Sequence, residues 1–283
     1  MRLTIVGSGG CVPLPRPGCL CAVCSKARQK GIPYARSGPA MYVHDEAILF
    51  DTPEEVTSRL NQEGIHEVRH VFYTHWHPDH TFGMRLFEHL RSHYDNEPAL
   101  EPIPVYTPDP VYDDITSNIP AFSFFERQGY IKAVKLADNE TAVLESLSIQ
   151  AIPTGGVESN RYIYLITDRR GGTALYAPCD VCGIRLENVA QCRGVDLLLL
   201  ECWVPITGQQ RKGLPHGHAW QTHLSEEEGL ALLDYLRPRR TILVHIDGAR
   251  HRSPEIDHDI LLEIVRSYPH RVEIAYDGMR LVL

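Results

Sequence analysis

No run in the 283-residue sequence is apolar for long enough to cross a bilayer. The longest, "VDLLLLECWV", is about half of what a membrane-spanning helix needs. The first residues, "MRLTIVGSGG", lack the apolar core and cleavage pattern of a signal peptide, so a cytoplasmic location is the expectation. Positive charge is scarce: 28 Lys and Arg against 36 Asp and Glu leave a formal net charge of −8. Duplex nucleic acids are held largely by Lys and Arg on phosphates, so a nucleic-acid partner is not expected. The basic stretches "GQQRKGLP" and "LRPRRT" read as solvated loops. No low-complexity segment, short-period repeat or linker divides the chain, and residues 1–283 read as one domain. The eight cysteines, in a reducing compartment, do not suggest a disulfide framework; clustered ones read as metal ligands and isolated ones as small buried residues. Histidine has a gap of its own, with none between His93 and His216.

What is present alternates between strand and helix signals. "RLTIVGSGG" is a strand running into a glycine turn, and "AMYVHDEAILFDT" a hairpin turning at "HDE". "PEEVTSRLNQEG" has the Pro start, acidic first turn and Gly stop of a helix. "VRHVFYT" is a buried strand, and "FGMRLFEHLRSHY" has helical spacing. From about 102 to 150 the pattern predicts short strands between Pro- and Asp-rich turns. "RYIYLITDRRGGTALYAP" is a hairpin, "VDLLLLECW" a buried strand, "LSEEEGLALLDYLRP" an amphipathic helix and "RTILVHID" a strand ending in histidine. "EIDHDILLEIVRSYP" is helical, and "RVEIAYDGMRLVL" is expected to close the chain as a hairpin. Strands and helices without strict βαβ alternation predict two mixed sheets packed face to face, with helices outside.

Two clusters carry chemistry. In "VFYTHWHPDHTFG", His75, His77 and His80 stand with Asp79 in six positions, directly after a buried strand. Imidazoles on so tight a loop can converge on one cation and turn the next Asp–His pair toward a second. In "PGCLCAVCSKAR", Cys19, Cys21 and Cys24 place three thiols close together on a loop. That suits a tetrahedral zinc needing a fourth ligand from elsewhere. Cys179 and Cys182, flanking Asp180, read as incidental thiols in preference to a redox pair.

"THWHPDHTFG" resembles the His-x-His-x-Asp-His signature of the metallo-β-lactamase superfamily, whose fold is an αββα sandwich. "LTIVGSGG" resembles that family's first strand and turn. "AILFDT" resembles the strand whose aspartate, here Asp51, supports the metal loop, and "LYAPCD" the strand ending in a bridging aspartate, here Asp180. "ILVHID" resembles the strand ending in the last histidine ligand, here His245. The resemblance implies active-site ligands His75, His77, Asp79, His80, Asp180 and His245. One departure stands out: the histidine normally found before the bridging aspartate is missing from "AIPTGGVESNRYIY". Three protein ligands with an open position suit a catalytic zinc, and Glu158, His216 or His218 are alternatives for the gap.

The Cys-x-Cys-x-x-Cys cluster resembles a narrower branch, the PhnP-like cyclic-phosphate phosphodiesterases, and is also found in PQQ biosynthesis protein B. In that branch a structural zinc takes the three cysteines and a histidine three residues past the last catalytic one. Here that place is Gly248, so His251 is the candidate fourth ligand, with Asp247 and His258 behind it. His223, just before the helix of "WQTHLSEEEGLALL", is on its own an ordinary cap neighbour. By resemblance it contacts the scissile phosphate and protonates the leaving oxygen. The role of Glu201 in "LECW" is less defined. The resemblance therefore implies a metal-dependent hydrolase acting on a small, ribose-cyclic type of phosphodiester through a metal-bound hydroxide oriented by Asp79. It would carry one or two active-site zinc or manganese ions and one structural zinc. The alternatives are an RNA-processing nuclease of the same superfamily and a non-hydrolytic metal- or cofactor-binding protein. The expected partner is the small substrate, with no membrane, and a homodimer is compatible with the sequence.

Overall fold

The computed structural model describes residues 1–92, 100–204, 222–250 and 252–283. Fourteen strands among these form two seven-stranded sheets. The first runs in the order β14 (Met279–Val282), β1 (Arg2–Gly7), β2 (Ala40–Val43), β3 (Ile48–Phe50), β4 (His70–Phe72), β5 (Ile103–Pro108), β6 (Ile131–Leu136). The second runs β13 (Val272–Ile274), β12 (Thr241–Val244), β11 (Leu197–Glu201), β10 (Thr173–Ala177), β9 (Tyr162–Asp168), β8 (Leu147–Pro153), β7 (Thr141–Val143). Each sheet is mixed. β3 to β6 are parallel in one and β10 to β13 in the other, while the remaining pairings are antiparallel. This is the αββα sandwich.

The sheets face each other through aromatic side chains. Phe50 of β3 lies 5.5 Å from Tyr164 of β9 and 5.4 Å from Tyr176 of β10, ring centroid to centroid. All three are fully buried, each contributing roughly 1.5–3 kcal/mol of burial. Eight α-helices are described: α1 (Ala22–Lys30), α2 (Val56–Gln62), α3 (Pro78–Thr81), α4 (Leu86–Arg91), α5 (Asp109–Asn118), α6 (Pro120–Arg127), α7 (Glu226–Leu236) and α8 (His258–Arg266). α7 opens with a capping box: Glu228 N–H donates to Ser225 Oγ at 3.3 Å and Ser225 N–H to Glu228 Oε2 at 2.8 Å. A second apolar cluster, with Trp203, Leu233 and Leu261, packs α7 and α8 onto the outer face of the second sheet.

The structure differs from the sequence expectation in three places. Between β5 and β6 lie two helices, α5 and α6, where only strands and turns are expected. Both begin with proline in the first turn, where its missing N–H costs nothing. Cys24 sits inside α1 and Cys21 at its N-cap, so the cysteine cluster straddles a helix start instead of lying on a loop. β13 and β14 are no hairpin: β13 pairs with β12 and β14 with β1, so the last strands end in different sheets. Asp277, in the crossing, is held by the segments that follow β1 and precede β2. Its carboxylate accepts from Ser8 N–H at 2.9 Å, Ser8 Oγ at 2.8 Å and Ser37 N–H at 2.8 Å.

Candidate metal centre

The C-terminal ends of β3, β4, β10, β11 and β12 meet at one rim of the sandwich, because parallel strands all point their ends the same way. Asp51, Asp180 and His245 follow β3, β10 and β12, and each has left-handed backbone, with φ of 59°, 54° and 55°. Such angles are uncommon away from glycine and cluster at functional sites. Asp51 holds the histidine loop from below. Its carboxylate accepts from Thr74 N–H at 2.9 Å and from His80 Nδ1 at 2.9 Å. With Nδ1–H bound to a carboxylate, His80 Nε2 is the nitrogen left with a lone pair. Thr81 Oγ closes the turn by donating to Trp76 O at 3.0 Å and His77 O at 2.8 Å.

Two donor groups result. In one, Asp79 Oδ2 lies 3.3 Å from both His80 Nε2 and His245 Nε2. In the other, Asp180 Oδ2 lies 3.7 Å from His75 Nε2 and 3.5 Å from His77 Nδ1. Among the described residues, His75 Nε2 and His80 Nε2 are buried without hydrogen-bond partners. A buried polar atom left unsatisfied costs about 1–3 kcal/mol, and a cation bound at His80 Nε2 removes that cost there. The residues present therefore fit a divalent ion with nitrogen and oxygen ligands. The charges agree. Burial raises the Asp79 and Asp180 carboxyls, but the surrounding imidazoles, with Arg161 beside Asp180, outweigh it and hold both well below the usual range. Burial lowers His77 to about 4, so that ring is neutral.

The structure also brings in residues the sequence reading missed. Arg161, just before β9, is buried. It donates from Nε to Asp180 Oδ2 at 2.9 Å and from Nη2 to His77 Nε2 at 2.9 Å. Glu158, one of the alternatives for the missing histidine, accepts from Arg161 Nη2 at 3.2 Å and joins neither donor group. Thr222 Oγ donates to Asp180 Oδ1 at 2.6 Å. Cys179, read as incidental, stands within 4.8 Å of His75 and His80, and likewise of His223 and His245. Glu201, at the end of β11, is the hub of the other wall. It accepts from the N–H groups of Asp180 at 3.2 Å, Val181 at 3.1 Å and Leu224 at 3.1 Å, and pairs with His223 Nδ1 at 2.6 Å. Burial would lower the His223 pKa, but Glu201 overcomes it and raises the ring to about 9. A cavity of about 90 Å³, lined by Gly10, Cys11, Gly38 and Pro78, opens onto Asp79.

Cys19, Cys21 and Cys24 converge with their sulfurs within 4.8 Å of one another, an arrangement able to hold a metal ion. The favoured fourth ligand, His251, lies outside the described residues, as do His216 and His218. Its two substitutes each make hydrogen bonds to other groups. Asp247 Oδ1 accepts from Val12 N–H at 3.2 Å and Ala249 N–H at 2.8 Å. His258 Nδ1 accepts from Arg36 Nη2 at 2.9 Å.

A two-sheet sandwich with a His/Asp cluster at its strand ends defines a metal-dependent hydrolase of the metallo-β-lactamase fold. The chain belongs to the beta-lactamase superfamily: the family model described as "Beta-lactamase superfamily domain" matches residues 47–246. No curated protein matches the sequence. Among solved structures, a diphosphatase of the PhnP family is 23% identical, with a TM-score of 0.75, over 100% of this chain and 97% of its own. Zinc-bound PqqB from Methylobacterium extorquens is 19% identical, with a TM-score of 0.80, over 100% of both chains. The short form of human tRNase Z is 16% identical, with a TM-score of 0.67, over 100% of this chain and 99% of its own. At these identities the likeness is one of fold. Among the described residues no helix is long and apolar enough to cross a membrane.

Proposed function

We propose that the protein is a phosphodiesterase acting on a small phosphodiester, with ribose cyclic phosphates as the first class to test. The observation that carries this is the His223–Glu201 pair beside the metal ligands, at 2.6 Å. An alkoxide leaving a phosphodiester needs a proton. Glu201 holds His223 Nδ1 and favours the charged ring, so the proton delivered comes from Nε2. Asp79, His80 and His245, with Asp180 beside them, would hold a divalent ion, which supplies Lewis acidity toward a phosphoryl oxygen and acidifies water. Asp79, which lines the small cavity, would orient an attacking water. The net charge of −8 favours a small substrate over a polynucleotide. A diphosphatase of the PhnP family shares the fold, which supports phosphoryl chemistry.

The test compares leaving groups. His223→Ala should lower kcat/KM by about 10²–10⁴ on a cyclic or alkyl phosphodiester, where an acid is required. It should cost far less on bis(p-nitrophenyl) phosphate, whose leaving group departs unprotonated. Equal losses on both substrates would exclude the acid role. Salt-sensitive cleavage of structured RNA without turnover of cyclic phosphates would favour the nuclease reading. Absence of turnover on all of them, with metal bound, would favour the non-hydrolytic one.

A further inference from the structure

We propose that the Arg161 guanidinium takes the place of one metal ion, so that the centre binds a single divalent ion at Asp79, His80 and His245. The inference rests on reading this rim as a metal centre, and concerns how many ions that centre holds.

Hydrogen-bond direction carries it. A guanidinium has only donors. Where Arg161 Nη2 meets His77 Nε2 at 2.9 Å, the histidine nitrogen must be the acceptor. With Nε2 accepting, the imidazole carries its proton on Nδ1, the nitrogen facing Asp180 Oδ2 at 3.5 Å. A metal-binding histidine is normally arranged the other way, its outer N–H donating to a carboxylate or carbonyl and its inner lone pair facing the ion. His80 follows that rule, with Nδ1 on Asp51. His77 has a donor at its outer nitrogen and so presents a proton, not a lone pair, toward Asp180.

The second acceptor of the same group is also taken. Asp180 Oδ2 accepts from Arg161 Nε at 2.9 Å, so the oxygen nearest His75 and His77 already has a cation on it. Arg161 is fixed in this pose. Nη1 donates to Ser159 O at 3.3 Å, Nη2 also to Glu158 Oε2 at 3.2 Å, and its own carbonyl accepts from Thr154 N–H at 2.9 Å. Among the described residues no arginine or lysine donates to the other group. The Nε2 atoms of His80 and His245 both face Asp79 Oδ2, at 3.3 Å. The chain thus builds one positive charge into the Asp180 side and leaves the Asp79 side for a metal.

Two readouts test this without any substrate, so they stand or fall separately from the diesterase reading. Crystals equilibrated with zinc, mapped by anomalous scattering, locate each ion and keep one at Cys19, Cys21 and Cys24 distinct from the centre. One peak is expected at Asp79, His80 and His245, and none between His75, His77 and Asp180. Arg161→His should add a second peak and raise bound zinc by one equivalent per chain. In parallel, ¹⁵N-histidine spectra of the metal-free native chain should show the His77 proton on Nδ1. Two peaks within the native centre, or a His77 proton on Nε2, would overturn the proposal. Should Arg161→His fail to fold, both native measurements still decide it.

Discussion

Inside His223 two forces oppose each other: burial disfavours the charged ring, and the carboxylate of Glu201 favours it. The second wins, lifting the pKa from an ordinary 6.5 to about 9. A group whose folded pKa is raised stabilises the fold fully below its unfolded value and loses that contribution as pH rises through the folded one. In chelator-treated protein the pair should therefore stabilise at pH 6 and fade between about pH 7 and 9, a loss of about 2 kcal/mol in denaturant titrations. Glu201→Gln should flatten that dependence. In the working enzyme it should move the alkaline limb of the pH–rate profile down toward the ordinary histidine value. An unmoved limb would mean that His223 is not the acid.

The same scale shows what can be read from sequence. Asp51, Asp180 and His245 are legible because each follows an apolar strand, and the histidine loop because its chemistry is packed into six consecutive residues. Arg161 is not. In "ESNRYIY" it looks like any solvated loop arginine, and only the approach of β9 to the histidine loop buries it.

At the scale of elements, the histidine loop is zipped to the end of β3. Thr52 N–H donates to His80 O at 2.7 Å and Gly83 N–H to Thr52 O at 2.8 Å. A Cβ at Gly83 would stand 1.9 Å from Pro53 O, so the two segments can approach only with glycine there. Gly83→Ala is expected to destabilise by about 1–3 kcal/mol in denaturant unfolding, through strain against backbone. It should also weaken zinc binding by displacing His80, and unchanged stability would show that the loop yields cheaply. The elements the sequence hides have local causes. The "PDP" that opens α5 has the composition of a turn, yet a proline in a first turn also begins a helix; buried Val111 and Ile115, four residues apart, settle it only once β5 lies beneath. "YDG" between β13 and β14 has the chemistry of a hairpin turn, and nothing local reveals that the strands' partners are β12 and β1.

Across the whole molecule, the two-sheet architecture is legible in the order of apolar runs, because most of them end in a polar or charged residue at the same rim. The crossing from β13 to β14 is a long-range pairing that no such pattern encodes. Its effect reaches beyond holding two sheets together. Asp277 grips Ser8 through both N–H and hydroxyl, and Ser8 O in turn accepts from Ile246 N–H at 3.0 Å, the residue next to His245. Gly9 bridges Ile246 on the same side. Asp277→Ala should therefore loosen zinc at the centre by about 10–100-fold while changing no ligand, as loss of an outer support does elsewhere. Competition with a chromophoric chelator would measure it, and native affinity in the variant would contradict it. The carboxylate of Asp277 thus acts as a guy-rope: the placing of a metal ligand on the second sheet is held taut by a residue that touches no ligand, so the donors can be present before they are under tension.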